Sequence, residues 1–168
     1  MSYDVVTTRA REVMAEQLIG LTFLFAISRG NPAWDTQWDD VNPPTPPLSA
    51  LGVLDLIGYV RPILQGYVTP DADGMIGGEN GERFAVSPTR TRYPRVRLSI
   101  PAGAFPNQTI REVGLFSSPV IDSSVLPGQT IIDPSDVSDP GDLNRIVWTR
   151  PQFLSPGTSY ARNLILRV

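Results

Sequence analysis

The sequence contains no cysteine, no histidine and no lysine, so all 14 of its basic residues are arginine. Without cysteine, disulfides, thiolate metal sites and cysteine nucleophiles are excluded. Without histidine, the usual Ser-His-Asp triad and imidazole acid–base catalysis are excluded. Without lysine, Schiff-base chemistry and a P-loop are excluded as well. Only carboxylates, tyrosine, arginine and hydroxyl groups remain, and we expect neither an enzyme nor a cofactor.

Strong positive charge and long apolar runs are also missing. The net charge of −3 at pH 7 argues against non-specific nucleic-acid binding through a global positive field. No apolar run reaches the roughly 18 residues that a membrane span requires. The first four residues lack the basic region of a signal peptide, so we expect synthesis in the cytoplasm.

Proline is abundant instead, with 17 residues in a chain of 168, about twice its usual share. Many short apolar runs accompany it, a combination that favours strands and turns over long helices. The length fits one domain. We therefore predict a single α+β domain over residues 1–168, mainly antiparallel and sandwich-like. A helical arm (residues 1–20) precedes a β-rich body (residues 21–168), from which loops project at residues 31–47 and 118–143.

Two helices are predicted. Residues 7–20 have a capping threonine and one apolar face. Residues 48–57 follow the last proline of the 31–47 loop and are predicted as a short internal helix, with Leu51 and Leu54 buried and Gly58 at its end.

Several strands are predicted from alternating apolar positions. Residues 21–28 form the first strand because their aromatic residues recur at period two, although a continuation of the helix is the alternative. Residues 59–69 form a strand interrupted by Pro62. Residues 109–117 form a strand that we expect to pair with residues 96–100. Residues 145–149 and 159–168 close the chain as strands.

The loop of residues 31–47 is the first candidate binding surface. Structureless loops this long are usually functional or disordered. Disorder is opposed by two tryptophans, a residue type that disordered segments lack and interfaces favour. The loop is expected to pack on its own domain or on a partner chain, and its candidate interface residues are Trp34, Trp38, Asp39 and Asp40.

Residues 83–97 carry five arginines and form the second candidate surface. Nucleic-acid binding is one interpretation. The favoured one is a half-exposed strand with Val96 and Leu98 inward and Arg95 and Arg97 outward. Together with Arg92, these two arginines form a face suited to an acidic neighbour. The acidic segments at residues 39–40 and 133–142 of another copy or another protein are possible sources of such a neighbour.

The acidic residues themselves give no metal signature. Asp71, Asp73, Glu79 and Glu82 flank a glycine-rich turn, but Met75 and Ile76 occupy positions where an EF-hand calcium loop needs an oxygen ligand and a glycine. Within residues 118–143, Asp133, Asp136, Asp139 and Asp142 recur every third residue with prolines between them, a pattern typical of a solvated acidic loop. No metal ligand is therefore assigned.

Two segments resemble known phage proteins. The strand end Ile27-Ser28-Arg29-Gly30, the Trp-Asp loop and the run Asn42-Pro43-Pro44-Thr45-Pro46-Pro47 resemble small tail and baseplate proteins of contractile-tailed bacteriophages. The segment Ile110-Arg111-Glu112-Val113-Gly114-Leu115-Phe116 is similar to a strand of phage tail-fibre and collar-type attachment domains. The resemblance implies a structural protein of the virion tail, a baseplate or tail-fibre-attachment adaptor or wedge. It also implies assembly with other tail, baseplate or fibre proteins and a homo-oligomer in the virion.

Three other functions remain open from the residues. One is a structural protein of the neck or collar. Another is a carbohydrate-binding receptor-recognition module, in which Trp34, Trp38 and Asp39 contact the sugar. The third is a glycosidase, which needs two carboxylates roughly 5–10 Å apart and for which no surrounding signature exists.

Overall fold

A computed structural model describes residues 5–39, 43–78 and 81–168. These residues form two compact units. The first unit comprises the chain up to Leu21, Ile63–Leu98 and Arg162–Val168, and the second comprises Thr22–Pro62 and Ser99–Ala161. The expectation of one domain over residues 1–168 stays a prediction.

The fold is α+β and mainly antiparallel, as predicted. In chain order its elements are α1 (Thr8–Ile19), β1 (Phe23–Ser28), β2 (Leu56–Val60), β3 (Leu64–Pro70), β4 (Ile76–Gly77), β5 (Arg83–Ser87), β6 (Pro94–Ile100), β7 (Gln108–Ser117), β8 (Val120–Ile121), β9 (Ile131–Ile132), β10 (Val137–Asp139), β11 (Asp142–Leu154) and β12 (Tyr160–Ile165). Two 3-10 helices, Pro32–Thr36 and Pro134–Asp136, lie between strands.

The helix α1 confirms the prediction for residues 7–20. Thr7 caps it by accepting a hydrogen bond from the Ala10 N–H at 3.2 Å, and Gly20 forms its C-cap. Within the first unit, Glu16 forms an ion pair with Arg90, and Arg11 donates to the Val168 carbonyl at 3.1 Å.

The first unit contains a five-stranded sheet in the order β12-β6-β3-β5-β4. Its core includes Val68, Ile76, Phe84 and Ile165, and Tyr93 packs edge-on against Phe84 with 5.6 Å between ring centroids. The alternating apolar residues of β6 are fully buried, as predicted: Val96, Leu98 and Ile100.

The second unit contains a five-stranded sheet in the order β11-β7-β1-β2-β9 and a two-stranded sheet of β8 and β10. All six residues of β1 are buried, which fits its continuous apolar sequence. β1 pairs antiparallel with β2 on one side and with β7 on the other. Gly114 of β7 allows a close approach, because a Cβ there would lie 2.8 Å from Cγ1 of Val53. How the sheets pack as a sandwich stays a prediction.

The predicted internal helix at residues 48–57 is wrong. These residues are irregular until Leu56, where β2 begins. Asp55 has φ = 52°, a conformation that a right-handed helix does not contain. Leu51 is 90% exposed and Leu54 is more than half exposed, so neither occupies the buried position expected for it.

The predicted pairing of residues 109–117 with residues 96–100 is also wrong. β7 lies between β1 and β11, whereas β6 lies between β12 and β3 in the other sheet. Pairing between neighbours in sequence is a tendency, and here contacts of long sequence separation take precedence.

Two further expectations are met in part. Pro62 interrupts the predicted strand of residues 59–69, and the two parts become β2 and β3. The predicted loop of residues 118–143 contains β8, β9, β10 and a 3-10 helix. The closing strands are confirmed as β11 and β12.

Candidate functional site

Trp34 packs inside its own unit. It lies in the 3-10 helix Pro32–Thr36, is 7% exposed and stacks on Trp148 of β11 with 3.9 Å between ring centroids and 23° between planes. Gly30 leaves the space for it, since a Cβ there would lie 2.4 Å from the Trp34 ring and its φ of 58° suits glycine. The start of the 31–47 loop therefore packs against the sheet.

Glu112 of β7 is the polar centre beneath this stack. Its side chain is 1% exposed, and its carboxylate accepts hydrogen bonds from Trp148 Nε1–H at 2.9 Å and from the Leu54 N–H at 2.6 Å. The Ser28 hydroxyl lies 3.0 Å from the same carboxylate and also contacts the Leu54 carbonyl. A buried carboxylate is tolerated where donors surround it in this way. Through Glu112 the chain at Leu54, just before β2, is joined to β1, β7 and β11.

Two arginines extend these contacts. Arg111 donates to both carboxylate oxygens of Asp35 at 2.7 and 2.8 Å. Arg29 donates through Nε to Gln108 at 2.7 Å and through Nη1 to Asp55 at 2.8 Å. The bond from Arg111 holds the pKa of Asp35 below its ordinary value, and the same bond raises the pKa of Arg111.

These contacts form one group, which we call the Glu112 clamp. It joins β7 to both ends of the segment between β1 and β2. Its members are Ser28, Arg29, Trp34, Asp35, Leu54, Asp55, Gln108, Arg111, Glu112 and Trp148.

Between the two clamped ends lies the proline–leucine segment, residues 43–54. It carries four prolines and no charged residue. Leu48 is fully exposed, and Leu51 is 90% exposed. A groove of about 300 Å³ separates the segment, at Pro46, Pro47 and Leu48, from the start of β11 at Leu143 and Ile146. Contiguous exposed apolar surface of this kind marks protein–protein interaction sites.

The other candidate residues of the 31–47 loop lie in different surroundings. Trp38 is half-buried, and its buried Nε1–H has no hydrogen-bond partner among the residues that the structure describes. Asp39 is exposed, and Asp40 lies outside the described residues.

The three candidate arginines do not share one exposed face. Arg92 is exposed and lies over the Tyr93 ring, 4.9 Å from its centroid. The prediction that Arg95 points outward is wrong: its side chain is only 6% exposed and donates through Nε to the Asn163 side chain at 2.9 Å. Burial lowers the pKa of Arg95, with a smaller contribution from nearby Arg97, which is half-buried. An interface role for all seven candidates stays a prediction.

In the described ranges, no group of three or more acidic side chains is placed to hold a metal ion. No helix in the same ranges is both long enough and apolar enough to cross a membrane.

A protein-family model described as "Baseplate wedge 3 tail fiber network component" matches residues 3–168. The chain belongs to this family. The baseplate wedge 3 family confirms the resemblance drawn from the Trp-Asp-Pro loop and the residue 110–116 strand. The chain is therefore a structural component of a phage baseplate, located in the virion tail with other baseplate or fibre proteins as partners. No curated protein matches it.

Sequence reasoning missed the centre of the clamp. The available signal was an acidic residue at position 112, in a strand segment (residues 110–116) whose only other charged residue is Arg111. Trp148 carries no comparable signal, because its stacking on Trp34 depends on the pairing of β11 with β7.

Proposed function

We propose that this baseplate protein is an adaptor that joins other baseplate or tail-fibre proteins by docking its proline–leucine segment on them. The observation that carries the proposal is the exposure of Leu48 and Leu51 on a segment whose two ends the Glu112 clamp holds. The protein acts by assembly, without catalysis or a cofactor, and as a homo-oligomer in the virion.

The energetics of docking favour this segment. Fully burying an exposed leucine side chain contributes about 1.5–3 kcal/mol, so two such residues supply a useful part of a binding free energy. Prolines at positions 43, 44, 46 and 47 restrict the unbound chain, so less conformational entropy is lost on binding. The clamp adds to this pre-organisation, because it anchors the segment to β7 before a partner arrives.

Assembly is favoured over carbohydrate binding for a structural reason. Sugar recognition by Trp34 requires an open indole face, yet Trp148 stacks on that ring and little of the side chain is exposed. The uncharged leucines offer no polar groups for sugar hydroxyls. Apolar protein surface is the better fit to this segment.

The test is incorporation of a Leu48→Ser/Leu51→Ser double variant into baseplates during infection. We expect the variant to fold normally and to be lost from purified virions, with at least about a tenfold drop in its amount. The matched control is Val120→Ser/Leu126→Ser, which changes two other exposed apolar residues of the same unit and is expected to incorporate normally. Normal incorporation of the Leu48/Leu51 variant would overturn the proposal.

A further inference from the structure

Arg95 and Arg97 lie two residues apart on β6, so their side chains project from the same face of the sheet in the first unit. Arg95 is 6% exposed and Arg97 is half-buried. The bond that Arg95 donates goes to the neutral amide oxygen of Asn163. In the ranges that the structure describes, no acidic side chain forms an ion pair with either arginine. Two positive charges are therefore partly removed from water side by side, an arrangement that an anion stabilises.

Gly66 of β3 leaves open space beside these arginines. In the antiparallel pairing of β3 with β6, Gly66 lies opposite Arg95 and Leu64 lies opposite Arg97, and residues that lie opposite each other share one face. Apart from its chain neighbours, a Cβ at Gly66 would meet only Cδ2 of Leu64, at 4.0 Å. Val68, two residues further along β3, is fully buried, so the covered part of this face ends next to Gly66. We call the open space at these four residues of β3 and β6 (Leu64, Gly66, Arg95 and Arg97) the Gly66 notch.

The chemistry of the notch suits a single carboxylate. Guanidinium groups bind carboxylates through parallel N–H···O bonds. The bond to Asn163 uses Nε of Arg95, whereas the two terminal nitrogens carry four further N–H groups. Nucleic acid, in contrast, is bound through many phosphate contacts on a positive surface, and this chain has a net charge of −3 and only two arginines at the notch. An aspartate or glutamate side chain of a protein is therefore the favoured occupant.

The chain itself carries carboxylates of this kind in residues 133–139. Asp133 and Asp139 are exposed, and the hydrogen bonds that they accept from Ser135 and Gly141 go to Oδ1. The bonds from Ser135 hold the pKa of Asp133 below its ordinary value, so this carboxylate is ionised at neutral pH. Prolines at positions 134 and 140 restrict the segment, so less conformational entropy is lost when it docks. The segment and the notch are complementary in charge.

We propose that the Gly66 notch of one copy binds an aspartate of residues 133–139 from a second copy of this chain. Arg95 and Arg97 hold the incoming carboxylate, and Leu64 borders it. One patch then contacts a different patch of the next copy, and such a head-to-tail contact closes into a ring when the rotation between copies permits. The inference rests on the homo-oligomer of the proposed function and specifies the contact between its copies.

The test uses the absence of lysine from this chain. Arg97→Lys keeps the positive charge and places a single side-chain amine at the notch. A carbodiimide, which joins an amine directly to a carboxylate in contact with it, is then applied to baseplates purified from virions that carry this variant. We expect a covalent dimer of the chain, with the new amide joining position 97 to Asp133 or Asp139 in mass spectra.

The matched control is Arg83→Lys, which places the amine at an exposed position of β5 in the same sheet. The Arg97→Lys variant is expected to give at least about tenfold more dimer than the control, because the reacting groups are held together only at the notch. Both variants are expected to unfold at the temperature of wild type, since each keeps the positive charge.

Three results separate this inference from the adaptor function. Equal amounts of dimer from the two variants would overturn the contact. Crosslinks from position 97 to carboxylates of a different protein would overturn its assignment to a second copy. Either result, in baseplates that need Leu48 and Leu51 for incorporation, leaves the adaptor function standing. A specific dimer in baseplates that incorporate Leu48→Ser/Leu51→Ser normally would support the contact and overturn the adaptor function.

Discussion

Two neighbouring stretches of the connection between β1 and β2 have opposite environments. Residues 29–36 contain charged and aromatic side chains, and these are tied into the Glu112 clamp. Residues 43–54 contain no charge, yet Leu48 and Leu51 face solvent. The exposed leucines depart from the usual distribution, in which large apolar residues are buried. The difference shows that polar and aromatic contacts fix the first stretch, while Leu48 and Leu51 of the second stretch stay exposed.

The clamp tolerates a buried carboxylate because its hydrogen bonds are made. The hydrogen bonds described for Glu112 come from neutral groups: the Ser28 hydroxyl, the Leu54 N–H and the Trp148 Nε1–H. Removing the carboxylate leaves these buried or partly buried donors without an acceptor, which costs up to about 1–3 kcal/mol for each. Replacing the exposed side chain of Leu48 or Leu51 removes no hydrogen-bond acceptor. Substitutions in the clamp are therefore expected to lower the free energy of unfolding, whereas substitutions of Leu48 or Leu51 are expected to leave it nearly unchanged.

The largest loss of stability is expected for Glu112→Leu. The Leu54 N–H and Trp148 Nε1–H lose their acceptor, and the free energy of unfolding is expected to fall by about 3 kcal/mol. Glu112→Gln keeps one acceptor oxygen and is expected to lose about 1 kcal/mol. Urea unfolding followed by tryptophan fluorescence measures this, because all three tryptophans lie in the second unit.

The matched control for that substitution is Gln152→Leu, at an exposed position of β11 in the same unit. Its free energy of unfolding is expected to stay within about 0.5 kcal/mol of wild type. Equal effects of Glu112→Leu and Gln152→Leu would contradict a structural role for the clamp.

A smaller loss of stability, which depends on pH, is expected for Asp35→Asn. The bidentate bond to Arg111 contributes about 1 kcal/mol at neutral pH. Because the folded pKa of Asp35 is lowered from 3.8, this stabilisation is present above pH 3.8 and is lost as pH falls through the folded pKa. The difference between wild type and variant is therefore expected to be constant from pH 7 to about 5 and to disappear in stronger acid.

The control for the pH experiment is Asp55→Asn. Asp55 contacts Arg29 through one oxygen and is more exposed than Asp35, so the expected loss is below about 0.5 kcal/mol. Asparagine also accepts the positive φ at this position. A pH-independent loss for Asp35→Asn would show that the ion pair is not its cause.

The smallest effect on stability is expected for Leu51→Ser. The side chain has few neighbours to lose, so unfolding free energy is expected to change by less than about 0.5 kcal/mol. Thermal unfolding of the isolated chain measures this. A loss comparable with that of Glu112→Leu would show that Leu51 packs on its own unit, and the contrast between the two stretches would fail.

Local features of the fold were predictable. The capped helix α1 and the buried alternation of Val96 and Leu98 follow from periodicity and a capping residue, which depend on nearby positions. Pro62 ended a strand as expected, since proline lacks the N–H that a ladder requires.

The candidate site was predictable only in part. Trp34 was singled out, but its contact with Trp148 is not visible in the loop, because those residues are 114 positions apart in the chain. The leucines of residues 48–57 were assigned to a helix face because their spacing fits one. That helix does not form: Asp55 has a positive φ, and β2 begins at Leu56.

The sequence by itself determined the strand-rich class, the exclusion of histidine, cysteine and lysine chemistry, and the resemblance to phage tail proteins. These properties depend on composition and on short motifs. Tertiary structure alone decided that Glu112 is buried, that Trp34 is covered and that Leu48 is exposed. The reason is that burial depends on which distant strands meet, and the pairing of β7 with β1 and β11 brings together residues that no local pattern connects.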